Sequence, residues 1–211
     1  MTVMSADEIV QLVLRERQSR DRGWYGQMAD CFAEDSVVEM SWFQGQRGGL
    51  RARHPRHGRP RRLRSASSQP AGGPHRRDRA LAELPLIIEW RIDIDGGEAD
   101  LASACRSQYR TQRGRDGVWR ITRITSICEK DTLTPALPCT RLDIDPHELT
   151  ACRPSYRCLA WYLNRNGYQV GPDHLGDDRP GSVARQYQAE MTWLHESRTP
   201  AATAGTERKQ Q

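Results

Sequence analysis

Apolar and polar residues alternate most regularly between residues 79 and 131, and that alternation predicts three consecutive β-strands. Leu84, Leu86, Ile88, Trp90, Ile92 and Ile94 take every second position, with Pro85, Glu89, Arg91 and Asp93 between them. This is the period of a strand buried on one side. Ile87 is out of phase, and Pro85, which has no N–H to donate, predicts a bulge or an edge there. Asp95-Gly96-Gly97 tolerates positive φ and so reverses the chain. In the second run, from Ala99 to about Thr111, one face carries Leu101, Ser103, Cys105, Ser107 and Tyr109 and the other Arg106, Gln108 and Arg110. A second turn at Arg115-Asp116-Gly117 leads into Val118-Trp119-Arg120-Ile121 and on to Ile127. Together these predict an antiparallel meander whose strands are long enough to curl, with a concave side able to hold a pocket.

Upstream the period changes from two to helical. Ser5 and Glu8 make a capping box, and Ile9, Leu12 and Val13 predict one apolar stripe on a helix that runs to about Arg20 and breaks at Asp21-Arg22-Gly23. Trp24 to Phe32 reads as a second helix, with Trp24, Met28, Cys31 and Phe32 toward the core. A strand follows from Val37 to Phe43, with Val38, Met40 and Trp42 on one side. Downstream of Asp131, Pro135 and Pro138 give an extended connection. Asp145-Pro146-His147-Glu148 is a helix start. Pro154 opens a longer helix with Tyr156, Leu159, Ala160 and Leu163 on one face, ending near Gly167. Asp178 and Pro180 begin a last helix carrying Val183, Tyr187, Met191 and Leu194. The expected organisation is one α+β domain over residues 1–131, a helical extension over 132–197 and a disordered tail over 198–211.

Charge changes the picture at one place. The net charge of +5 is concentrated in residues 45–77, which hold ten arginines and neither Asp nor Glu. With those ten set aside, 22 basic residues face 27 acidic ones, so the rest of the chain is acidic. Leu50 and Leu63 are the large apolar residues of the tract, and no periodic element is expected from it. Three readings stand: an arm that neutralises nucleic-acid phosphates, though without aromatics to stack on bases; a solvated loop; or an out-of-frame translation that has replaced a native helix and strand. The last is suggested by 30 Arg against two Lys, Lys130 and Lys209, the usage of a GC-rich gene. No apolar run approaches membrane-spanning length and no apolar leader is evident, so a soluble, cytoplasmic protein is expected. The six cysteines form no C-x-x-C pair, which favours reduced, buried thiols over disulfides or a zinc site.

Two helices, a strand, an interrupted middle and a meander closed by Asp116-Gly117-Val118-Trp119-Arg120-Ile121 resemble the SnoaL-like branch of the nuclear transport factor 2 superfamily. Asp21-Arg22-Gly23-Trp24 is similar to that family's corner between helices, and Phe32-Ala33-Glu34-Asp35 to its lead into the first strand. The segment after Asp131 looks like the helical extension of one bacterial subgroup. The resemblance implies an NTF2-like cone: a curved antiparallel sheet, covered by the N-terminal helices, that encloses an apolar cavity. Members include polyketide cyclases, scytalone dehydratase, ketosteroid isomerase, epoxide hydrolases and silent binding proteins, most of them without metal or organic cofactor.

Acid–base work in such a cavity needs a carboxylate or histidine and a donor for a developing oxyanion. Asp21 matches the helix-corner aspartate of the dehydratase members, its other reading being a helix terminator facing water. Tyr25 is the candidate donor, or else packing. Trp24, Trp42 and Trp90 are candidate pocket walls or core, and Arg106 and Tyr109 candidate ligand contacts from strand alternation. Family dehydratases place histidines in the third helix and on an inner strand; here those regions are the arginine tract and Ala102-Ser103-Ala104-Cys105, so histidine-dependent dehydration has no match. The expectation is therefore binding of a small apolar molecule, with isomerase, cyclase or dehydratase chemistry and no cofactor or metal. The alternative is a non-catalytic binding or homodimerisation module that uses the open sheet face. Nucleic acid and membrane are not expected partners.

Overall fold

The computed structural model describes residues 6–53, 63–67, 71–76, 78–139 and 141–196 of the chain. It opens with α1 (Ala6–Arg22), α2 (Tyr25–Asp30), β1 (Phe32–Met40), β2 (Phe43–Gln46) and α3 (Arg47–Arg53). Strands β3 (Leu63–Ser67), β4 (Ala71–Arg76), β5 (Arg79–Ile94), β6 (Gly97–Arg113) and β7 (Trp119–Pro135) follow. The chain then runs through α4 (Pro146–Thr150), a 3-10 turn (Pro154–Tyr156), α5 (Arg157–Arg165) and α6 (Pro180–His195). Among the described residues the strands form one seven-stranded sheet ordered β2-β1-β7-β6-β5-β3, with β4 also pairing β5. The class is α+β, and the sheet is curved.

The meander forms as its alternation predicts. Strands β5 and β6 pair in unbroken register from Arg79↔Gln112 to Ile94↔Gly97. Asp95 and Gly96 both adopt positive φ (50° and 89°), the two-residue turn whose twist suits a hairpin. Pro85 causes no bulge in that pairing. It lies between the stretch of β5 paired with β4 and the stretch paired with β3, where a missing N–H costs no ladder bond on that side. Two register shifts between β6 and β7, at Ala104/Cys105 and Arg110/Thr111, add residues to β7 and bend strands already long enough to twist.

One face of this sheet is concave. Helix α1 covers one half of it, where Ile9 and Val13 meet Val38, Leu84, Leu86, Tyr109, Ile121 and Ile124 in one buried core. Helix α5 and the 3-10 turn cover the hairpin half, where Tyr156, Leu159, Trp161 and Leu163 meet Ile92, Ile94, Ala99 and Leu101. Because Leu101 and Tyr109 lie in the same phase of β6, both cores belong to one face, and Trp42 packs against both. Helix α6 lies on the other face, where Arg110 pairs with Glu190 at 2.7 Å and Tyr187 donates its hydroxyl to Glu83 at 2.5 Å.

Several expectations need correction. The first strand turns at Ser41-Trp42, so Phe43 opens β2 instead of closing β1. Phe32 opens β1 instead of ending α2. Trp24, expected inward, is 49 % exposed, because Gly23 in the left-handed region (φ 72°) ends α1 and swings the chain outward. Its amide still closes the helix by donating to Ser19 O at 2.8 Å, a Schellman end. Tyr187 and Met191 are exposed, and the buried residues of α6 are Val183, Glu190 and Leu194. The arginine tract, expected to lack regular elements, contributes α3, β3 and β4. The rest of it (54–62, 68–70 and 77), Ser5 and the tail lie outside the described residues. All six cysteines are free thiols, with Cys31, Cys105 and Cys128 buried and Cys139 exposed.

Candidate active site on the concave face

The second half of α1 reads Arg-Glu-Arg-Gln-Ser-Arg-Asp-Arg, yet it packs inward. The stripe of Ile9 and Val13 continues at helical spacing to Glu16, Arg17 and Arg20, which are 0 %, 7 % and 2 % exposed. No apolar residue is available there, so the helix buries charge, and buried charge must be paired. Arg20 pairs with Glu16 at 3.2 Å through Nε and again through Nη2. Tyr109, fully buried on β6, donates its hydroxyl to Glu16 Oε2 at 3.2 Å. The remaining guanidinium nitrogen of Arg20, Nη1, points at the Met40 thioether, 2.8 Å away.

Asp21 stands at the outer edge of this cluster. Its carboxylate is held by Arg17, Nη2 to Oδ1 at 2.6 Å and Nε to Oδ2 at 3.2 Å, with the two side chains 9 % and 16 % exposed. Burial, then Arg20, holds the Arg17 guanidinium below its ordinary value. For Arg20 burial acts downward too, but Glu16 and its neighbours outweigh it and the net shift is upward. Burial, with the Glu16 charge behind it, pushes the Tyr109 hydroxyl up, so it stays a proton donor. Cys105, on the inner-strand stretch, is pushed up to about 11 by burial against the opposing pull of Arg17 and Arg20. Two more atoms of this face, Ser36 Oγ and Trp119 Nε1, are buried without a hydrogen-bond partner.

Of the residues singled out in the sequence, Asp21 and Tyr109 come together in this cluster. Tyr25 and Trp42 pack at its border, partly buried against the same core. Trp90 sits at the hairpin half, 6.2 Å from the Tyr162 ring on α5. Trp24 is in solvent. Arg106 is on the opposite face, bound to Asp177 at 2.8 Å, Glu129 at 2.9 Å and the Tyr187 hydroxyl at 2.9 Å, so it shares no pocket with Tyr109. Glu16, Arg17 and Arg20 were missed. The legible signal was a helix whose only candidates for continuing its inward stripe were charged.

An open groove of about 930 Å³ lies elsewhere, on the outer side, between the start of β1 and the end of α6. Arg110, Arg120 and Arg123 line it but are committed to Glu190, Asp116 and Glu39, and Asp30, Glu34 and Asp35 form part of its wall. None of the residues expected from the sequence lines it. Among the described residues no group of three or more His, Cys, Asp or Glu side chains is arranged to hold a metal ion, and no helix is long and apolar enough to cross a membrane.

The family model of the SnoaL-like domain matches residues 1–125, the part of the chain that holds α1, strands β1 to β6, the start of β7 and this cluster. The chain belongs to that family. Crystal structures with the same fold as the SnoaL-like domain include a type-2 hexachlorocyclohexane dehydrochlorinase (LinA), 14 % identical with a TM-score of 0.52 over 65 % of this chain and 94 % of that one. A type-3 LinA from Novosphingobium barchaimii LL02 is 15 % identical with a TM-score of 0.51 over 66 % and 94 %. In sequence the chain is similar to pea pathogenicity protein 2 of Fusarium vanettenii, 30 % identical over 118 residues, which are 55 % of this chain and 50 % of that protein. A PEP2-like protein of the same fungus is 31 % identical over 123 residues, 55 % of this chain and 52 % of that one. The chain spans about half the length of these curated relatives.

Proposed function

We propose that the SnoaL-like domain takes a small, largely apolar molecule against its concave face and moves a proton on it without a cofactor, in an isomerisation, cyclisation or dehydration. The observation that carries this reading is Asp21: a carboxylate fixed in position by Arg17, still partly open, at the rim of a face otherwise built from Val38, Leu84, Leu86 and Ile124. A positioned carboxylate beside an apolar surface is the arrangement general base catalysis uses. The unpartnered Ser36 and Trp119 atoms add polar anchors for a ligand.

A second reading, binding without turnover, is favoured by Cys105. It occupies the inner-strand stretch in which dehydratase members carry histidine, and a thiol pushed up to about 11 by burial is neutral at physiological pH and no general base. One experiment separates the two. In D2O, 2-tetralone exchanges its α-hydrogens measurably by NMR. The first reading predicts catalysed exchange that falls on the order of 100-fold in Asp21→Asn with probe binding retained. Saturable binding without exchange selects the second reading, and no binding contradicts both.

A further inference from the structure

Two of the buried thiols face each other across the sheet. Cys105 on β6 and Cys128 on β7 are directly opposite partners, 6 % and 4 % exposed, and both are free. In an antiparallel ladder a residue turns its N–H and its C=O toward the same neighbour, so opposite residues exchange both bonds or neither. Cys128 gives its amide to Leu175 O at 2.9 Å and accepts the Asp177 amide on its carbonyl at 3.0 Å, so its backbone polar groups face away from Cys105. The two cysteines therefore form a non-hydrogen-bonded pair, the kind whose Cα atoms stand about 4.5 Å apart, within the roughly 4.4–6.8 Å that a disulfide spans. Ser107 and Ser126, the next such pair on the same face, already bring their hydroxyl oxygens to 3.0 Å of each other. The register shift beside Cys105 leaves Glu129 without a partner across the ladder, and such a bulge loosens the backbone where the last adjustment falls.

We propose that Cys105 and Cys128 are a reversible oxidation site, which closes a cross-strand disulfide when the protein meets a peroxide. With hydrogen peroxide as oxidant the step balances. The Cys105 sulfur, as thiolate, attacks one peroxide oxygen, the O–O bond breaks, and the departing hydroxide takes up the thiol proton as water, leaving a sulfenic acid. The Cys128 sulfur then attacks the Cys105 sulfur, the S–O bond breaks, and a second water leaves with the Cys128 proton. Two thiols have given up two electrons and one peroxide has become two waters; a dithiol reductant reverses the change by exchange. Cys105 reacts first, because burial pushes its thiol up to about 11 against the pull of Arg17 and Arg20, whereas burial and then Cys105 itself push Cys128 further up. The bond ties β6 to β7 at the residue from which the 175–177 segment hangs, and Asp177 in that segment also holds Arg106. Oxidation therefore fixes the seat of the C-terminal extension on the sheet, whether or not a ligand occupies the concave face.

The test exposes the whole, folded chain to hydrogen peroxide at a dose that fully oxidises the exposed Cys139, then unfolds it, alkylates the remaining thiols and maps the peptides by mass without reductant. The proposal predicts a linked pair carrying Cys105 and Cys128, lighter by two hydrogens than the two reduced peptides together and separated again by dithiothreitol. It also predicts that the Asp177 amide, whose acceptor is the Cys128 carbonyl, exchanges with deuterium more slowly in the linked form than in the reduced one. Alkylation of both Cys105 and Cys128 after such treatment, sulfinic acid at an unlinked Cys105, or linkage of either to another cysteine would overturn the site. A Cys105–Cys128 bond with unaltered exchange at Asp177 would overturn the effect on the extension.

Discussion

At Glu16, Arg20 and Tyr109 three polar groups are held with almost no access to water, so removal of one leaves the others unpaired. Arg20→Met alone is expected to cost about 3–5 kcal/mol, the penalty of stranding a buried charge. The double change Glu16→Met/Arg20→Met should recover most of that, because no charge is left behind. Urea unfolding of the two variants checks this, and equal losses in both would mean that the pair contributes net stability. A second residue-scale expectation concerns Asp131 on β7, whose carboxylate accepts the Leu159 amide at 2.8 Å at the start of α5. Burial raises its pKa in spite of that bond. A carboxyl raised by folding adds stability that is fully present below its unfolded value near 4 and is lost as pH rises through the folded value. Asp131→Asn should therefore gain on the wild type between pH 4 and pH 7 in unfolding midpoints, whereas a constant difference would show that burial does not govern this group. Asp21 and Tyr109 were legible from a corner motif and from strand phase. Glu16 and Arg20 stayed hidden because charged residues on a helix normally signal its wet side, and what buries them includes Tyr109 on a strand 93 residues along the chain from Glu16.

Among elements, the meander was readable because its period, turns and glycines agree with one another, as does the Asp145 cap of α4, which accepts the His147 amide at 2.8 Å. What escaped was anything set by pairing partners. Strands β3 and β4 arise where the backbone of β5 offers them a ladder, and backbone hydrogen bonds need no apolar pattern. Tyr187 and Met191 read as a core stripe but stay exposed, since α6 docks through polar contacts, Glu190 to Arg110 and Tyr187 to Glu83 and Arg106. Arg106→Ala should consequently speed deuterium exchange in α6, most at low salt relative to the variant's own behaviour at high salt, and leave α1 unchanged; unaltered α6 protection would show that packing holds the helix. Gly23→Ala tests the corner itself. A Cβ at φ 72° costs about 1–2 kcal/mol, and the Asp21 position should loosen with it. For the arginine tract, an out-of-frame origin predicts that its codons, read in one of the other two frames, encode an apolar-periodic helix and strand. The gene's nucleotide sequence checks it, and stop codons in both frames would end that reading.

For the whole molecule, the extension does more than follow the domain. Helix α5 covers the hairpin half of the concave face while α6 covers outer-face positions of β5 and β6, the open sheet face that a second copy was expected to use. Under the proposed function the ligand meets Asp21 at the edge of the α1 half, where that side chain keeps 16 % exposure. Two methionines report on it, Met28 and Met40, both buried in the concave core, and Met191, 40 % exposed on α6, is the control on the other face. The most direct measurement is NMR of the protein carrying 13C-methyl methionine, titrated with 2-tetralone. The account predicts a saturable shift of the Met40 methyl with Met191 unmoved; a shift confined to Met191, or none at any methionine at saturating probe, would contradict it.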